Sequence, residues 1–144
     1  MATTSTANAV WEGGLRSGKG HFSAGSGAFK AEYSFPTRFE GAKGTNPEEL
    51  VAAAHAACFS MALASGLEKA GKPATRIATT ARCTIDMVGG APRVTTMRLE
   101  TRGAVPGLDQ AAFAKAAEDA KNGCPISNAL KGNLTIELDA KLES

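Results

Sequence analysis

The sequence predicts an α+β fold, and three observations predict it. Strand-like and helix-like periodicities are segregated along the chain in the order β-rich, α, ββ, α, β, without repeated βαβ units. A run of 18 residues, Leu50–Leu67, carries no Asp, Glu, Lys or Arg and is too long for a strand. Alanine accounts for 28 of 144 residues, against 25 Leu, Ile, Val and Phe together, a composition that suits helices packed closely. So low a share of bulky apolar residues signals disorder only alongside high net charge. Here 16 basic and 14 acidic residues leave +2. That balance excludes a basic nucleic-acid footprint and a polyacidic tail. The length fits one domain, residues 1–144.

The first third reads as short strands punctuated by glycine. Val10–Trp11, Gly18–Phe22 and Phe29–Phe35 are the β segments, with Gly13-Gly14 as a turn. Pro36 and the charged stretch 37–43 are expected to end that region as a loop. A helix follows with a full set of start signals. Asn46 suits the N-cap, Pro47 the first helical position, and Glu48 and Glu49 the electropositive first turn. Its uncharged run reaches the length of a membrane span. Seven alanines, two serines, His55 at mid-segment and the absence of a basic flank at the capped end argue against one. A helix apolar on every side is otherwise a buried one. In so small a protein, covering all sides calls for a second layer from another subunit.

Gly71-Lys72-Pro73 closes that helix. Thr75–Met87 and Arg93–Arg102 alternate polar with apolar residues around Gly89-Gly90, which predicts a hairpin. Asp109 is expected to cap an amphipathic helix ended by Gly123. A short helical piece, Ile126–Leu130, follows Cys124-Pro125, and Leu134–Leu142 alternates as a last strand.

Three cysteines are an odd number without disulfide-scaffold spacing, and residues 1–10 lack the basic and apolar regions of a secretory signal. The expected compartment is the reducing cytoplasm. Cys58 has two readings: an inert core thiol, or a nucleophile whose thiolate needs a nearby positive charge. His55, one turn earlier on the same face, could contribute or could simply pack. Cys124 precedes a helix start, which favours thiolate, or it caps without reacting. Cys83 sits in an alternating strand with Arg82 and Thr84 on the opposite face, and packing is its expected role. Arg38 and Glu48 lie in or beside the loop before the long helix. A carboxylate holding a guanidinium beside a thiol would activate sulfur. With no CxxC pair, His55 and Cys58 are only a two-ligand seed, and no metal site is expected. No segment matches a phosphate-loop spacing.

Residues Lys43–Leu50 (KGTNPEEL) run into Ala53–Met61 (AAHAACFSM), with Asn122–Ser127 (NGCPIS) downstream. These motifs closely resemble those of the OsmC/Ohr family of osmotically inducible and organic hydroperoxide resistance proteins, specifically the OsmC branch. The likeness covers essentially the whole chain. It implies an intertwined homodimer in which long buried central helices are wrapped by antiparallel β-sheets. It implies a thiol-dependent peroxidase of oxidative and osmotic stress defence, reducing organic hydroperoxides, with hydrogen peroxide as a further candidate substrate. By position Cys58 matches the peroxidatic cysteine, Cys124 the resolving cysteine, Glu48 the acidic residue of the first turn, and Arg38 the arginine of the OsmC branch. Arg16 is the fallback, because the Ohr branch draws its arginine from nearer the N-terminus. No family role falls on Cys83. The resemblance further implies a Cys58–Cys124 disulfide and an external dithiol reductant, of lipoyl type among others. It implies no bound cofactor, metal, nucleic acid or membrane. A non-catalytic dimeric module of the same fold, binding small lipophilic molecules, is the alternative.

Overall fold

The computed structural model describes residues 1–143, which divide into two compact units meeting in sequence at Pro47 and Glu48. In the first unit β1 (Ala7–Glu12), β2 (Lys19–Ala24) and β3 (Lys30–Tyr33) form an antiparallel sheet in that order. Trp11 and Phe22 each bring a ring to 5.4 Å from Tyr33, so one aromatic cluster ties the three strands together. The strand expected through Phe35 ends at Tyr33, and the loop expected from Pro36 is replaced at its start by a helix, α1 (Phe35–Phe39). Ser34 caps it: the Ser34 Oγ accepts from the Thr37 N–H, and the Thr37 Oγ1 accepts from the Ser34 N–H. Pro36 lies in the first turn, where its missing N–H costs nothing, so it starts this helix and does not break a strand.

The long helix α2 (Pro47–Lys69) forms as its start signals predict. Asn46, the expected cap, donates its side-chain amide to the Thr37 carbonyl at 3.1 Å. One stripe of α2 is buried: Glu48, Ala52, His55, Phe59, Leu63 and Leu67 recur every three to four residues. The opposite side, Ala53, Ala54, Ala57, Met61 and Ala64, is apolar and uncovered in the single chain. By length and composition alone α2 could cross a membrane, but its buried stripe enters the core of the second unit.

That core is built on a sheet ordered β4 (Arg76–Val88), β5 (Ala91–Ala104), β6 (Thr135–Leu142). The β4–β5 hairpin turns on Gly89 and Gly90, both at positive φ (60° and 84°), the conformation a two-residue turn of this hand requires. Central β5 alternates strictly, burying Met97, Leu99 and Thr101. On the other face Arg82, Arg98 and Arg102 interleave with Glu100 and Asp139 across all three strands. One face is therefore core and the other a solvated charge ladder.

Strand β6 departs from the expected all-antiparallel arrangement, since it pairs with β5 in parallel. Its connection contains α3 (Gln110–Gly123) and α4 (Pro125–Leu130). A helical crossover of that length returns the chain to the end where β5 began. Helix α3 is capped by Asp109, whose Oδ1 accepts from the Ala112 N–H at 2.8 Å. Phe113 is fully buried and seats its ring where a side chain on Gly103 would stand. Gly123, expected as the terminator, is itself helical. The helix stops at Cys124 (φ −66°, ψ 127°), because a residue before proline is driven out of the α region.

Candidate active site

The α3–α4 junction decides where the second sulfur goes. Extended backbone at Cys124 swings its fully buried side chain toward the middle of α2, where Cys58 sits half-buried one turn beyond His55. The two sulfurs meet at 2.9 Å as free, hydrogen-bonded thiols. A disulfide bond measures about 2.05 Å, so bonding needs a shift of roughly 1 Å.

The two sulfurs are not equivalent. Burial pushes the Cys58 thiol up, and sharing a proton with Cys124 pushes it further, against one donated bond from the Ile126 N–H. Burial also acts against ionisation of Cys124, but more donors oppose it there. The Cys124 S–H donates to the Cys58 sulfur, and the neighbouring Cys58, Ser127 and Ile126 groups together bring the Cys124 thiol below the ordinary range. Either sulfur can hold the shared proton. The electropositive surroundings anticipated for Cys124 thus take the form of specific N–H and O–H donors.

Ser127 is the residue the sequence reading passed over. Its hydroxyl lies 2.7 Å from the His55 Nε2, and both side chains are buried. The pair is 72 residues apart in sequence, and the only local signal is the spacing of Cys124 and Ser127, which places them on one face of the first turn of α4.

Cys83 projects from β4 into the same apolar core. Burial, and then the negative charge of Glu48, push its thiol up, which suits the packing role expected of it. Glu48 is 6% exposed, and a carboxylate so buried is retained only when charges or donors satisfy it. Among the described residues no group of three or more His, Cys, Asp and Glu side chains could hold a metal ion.

In the first unit the two candidate arginines share one platform. Phe35 and Phe39 of α1 stack at 5.0 Å. The Arg16 guanidinium lies 4.5 Å over the Phe35 ring and that of Arg38 lies 5.1 Å over Phe39. Trp11, Leu15, Tyr33, Phe35, Arg38 and Phe39 line a cavity of about 210 Å³ beside them.

A family model described as OsmC-like protein matches residues 40–139. The chain belongs to the OsmC-like family. Its relatives include the peroxiredoxin OsmC of Escherichia coli K12, 48% identical over 92% of this chain and 94% of that one. An organic hydroperoxide resistance protein of Xanthomonas axonopodis pv. citri is 35% identical over 92% of both chains. Among solved structures, an organic hydroperoxide resistance protein from Elizabethkingia anophelis superposes with a TM-score of 0.79 at 29% identity, covering 99% of this chain and 100% of that one. The OsmC-like match contains Glu48, Cys58 and Cys124, and begins two residues after Arg38.

Proposed function

We propose that this protein is a thiol-dependent peroxidase that reduces organic hydroperoxides, and hydrogen peroxide as a smaller substrate, through Cys58 and Cys124. The observation that carries the reading is the 2.9 Å approach of these two sulfurs in a chain 48% identical to a protein named as a peroxiredoxin. Attack of the Cys58 sulfur on the terminal peroxide oxygen breaks the O–O bond, leaving Cys58 as a sulfenic acid and releasing the alcohol. Cys124 then attacks that sulfur, the S–O bond breaks, and water and a disulfide form. An external dithiol returns the protein to the reduced state by exchange and is itself oxidised to a disulfide. No bound cofactor or metal takes part. Arg38, oriented by Glu48, would stabilise negative charge on sulfur and polarise the peroxide.

Hydroperoxide titration tests this directly. Reduced protein contains three free thiols, and one equivalent of an alkyl hydroperoxide should leave one. A dithiol should restore all three and sustain turnover. A lipophile-binding module would bind the hydroperoxide with no loss of thiols, and that result sinks the enzymatic reading.

The uncovered apolar side of α2, with Met61 at 76% exposure, supports a homodimer in which a second copy covers it. The reading includes a single functional domain, since the family match runs across the boundary between the two units, and a cytoplasmic setting that keeps the thiols reduced. Sedimentation should give twice the 14.7 kDa chain mass at micromolar concentration. A well-folded monomer there overturns the dimer.

A further inference from the structure

We propose that the cavity bounded by the end of α3, helix α4 and the start of β6 is a binding site for a small phosphate ester. Lys131 and Lys121 supply its positive charge, and Leu134 and Ile136 receive the organic group of the ester. The site stands apart from the peroxidase reading and uses none of the reacting sulfurs.

The cavity follows from how the chain turns after α4. Lys131 ends that helix, its N–H donating to the Ser127 carbonyl. Gly132, at φ 86°, then turns the backbone through a conformation that glycine adopts without strain. A bridge between Lys131 and Leu134 closes the turn, which holds Lys131 beside the first residues of β6. The space left against α3 and α4 measures about 370 Å³, in the size range of small-molecule sites.

Its lining carries two cations and no carboxylate, in a chain whose 16 basic and 14 acidic residues nearly balance. The two lysines differ in their commitments. Lys121 lies in the last turn of α3, where it offsets the helix dipole, and Glu118 holds its Nζ at 3.1 Å. Lys131 forms no ion pair among the described residues. Asn122 and Asn128 add side-chain amide donors.

Ser127, 2% exposed, forms part of the wall. Its Oγ lies 2.7 Å from the His55 Nε2, while the buried His55 Nδ1 has no hydrogen-bond partner. An unsatisfied buried N–H is rarer and costlier than an unsatisfied lone pair. The imidazole hydrogen therefore belongs on Nε2 and is donated to Ser127. That assignment frees the Ser127 hydroxyl hydrogen for an acceptor other than His55. His55 belongs to the buried stripe of α2, so this wall lies away from the uncovered apolar side assigned to a second copy.

The donor set selects the ligand. A carboxylate is matched best by the planar fork of arginine, and no arginine lines the cavity. Ammonium groups are point charges that serve the three terminal oxygens of a phosphate from separate directions, and a phosphate monoester carries roughly −1.5 to −2 at neutral pH. Leu134 and Ile136 add an apolar stretch that inorganic phosphate leaves unused and an ester with a short alkyl group covers.

Calorimetry and amide NMR on the reduced protein, with hexyl phosphate, inorganic phosphate and hexanoate as probes, test the assignment. Hexyl phosphate should bind with a Kd below about 1 mM and shift the signals of Ser127, Asn128 and Lys131. Inorganic phosphate should bind about tenfold more weakly, the worth of burying one or two methylenes. Lys131→Gln should cost roughly tenfold, the worth of a hydrogen bond to a charged group, and Lys131→Arg should keep most of the affinity. Lys131 is exposed, so thermal unfolding of these variants should match wild type. Lys19→Gln, which removes the same charge from β2, should bind as wild type does. Absence of a saturable shift, or an equal loss in Lys19→Gln, overturns the site. Hexanoate binding as tightly as hexyl phosphate overturns the phosphate, and inorganic phosphate binding as tightly overturns the ester.

Discussion

Cys58→Ser protein should consume no hydroperoxide, whereas Cys124→Ser protein should consume one equivalent and stop. Loss of the attacking sulfur removes the bond-forming atom, and steady turnover should fall by a factor on the order of a thousand or more. A serine hydroxyl at the same place is not ionised at neutral pH and does not reduce peroxide. Cys124→Ser leaves the Cys58 sulfur in place but takes away the partner 2.9 Å from it. Its sulfenic acid then has no thiol to condense with, and further peroxide drives it toward sulfinic acid. Cys83 cannot substitute, because burial and the charge of Glu48 hold its thiol protonated. Peptide mapping of oxidised wild-type protein should find one intrachain Cys58–Cys124 bond with Cys83 free. Cys83 in the disulfide, or steady turnover by Cys58→Ser, overturns the mechanism.

Much of this was legible in the sequence where local chemistry decides the outcome. Helix α2 announces itself through Pro47, Glu48, Glu49 and an uncharged run that only a helix accommodates. The β4–β5 hairpin follows from alternation around Gly89-Gly90, and Asp109 caps α3 as its side chain predicts. The errors lie where one residue has two uses. Pro36 ends a strand or begins a helix, and only the reciprocal bonds of Ser34 and Thr37 select the second. Gly123 resembles a helix terminator, but Pro125 sets the boundary through Cys124 instead. The parallel pairing of β6 depends on where α3 and α4 return the chain, which alternation within Thr135–Leu142 does not encode.

The candidate site divides in the same way. Cys58 and Cys124 are recognisable from motif spacing, but the difference between their surroundings is not. It depends on which N–H and O–H groups converge on each sulfur, and those of Ile126 and Ser127 arrive only because Cys124 adopts extended backbone before α4. His55 reads from sequence as a packed core histidine, and it is packed. Its contact with Ser127 is one that no local pattern contains, because the partner lies on another helix.

Arg38→Ala should slow peroxide reduction by roughly a hundredfold, the worth of one well-placed group that stabilises charge in a transition state, with the fold intact. Arg16→Ala should slow it far less. The first unit supplies an internal control for this comparison. Both guanidiniums stack on rings of α1, Arg16 at 4.5 Å from Phe35 and Arg38 at 5.1 Å from Phe39. Loss of either stacking contact costs about 0.5–1 kcal/mol at an exposed site, and thermal unfolding of both variants measures whatever stability each substitution removes. A rate difference beyond that is chemical, not structural. Arg38→Lys should recover only part of the rate, since an ammonium keeps the charge but not the planar fork that pairs with a carboxylate. Glu48, buried and requiring such a partner, should show the same pattern more weakly as Glu48→Gln. If Arg16→Ala is instead the slower enzyme, the activating charge comes from the N-terminal region, as in the Ohr branch. In that case Arg38 is only a structural cation over Phe39.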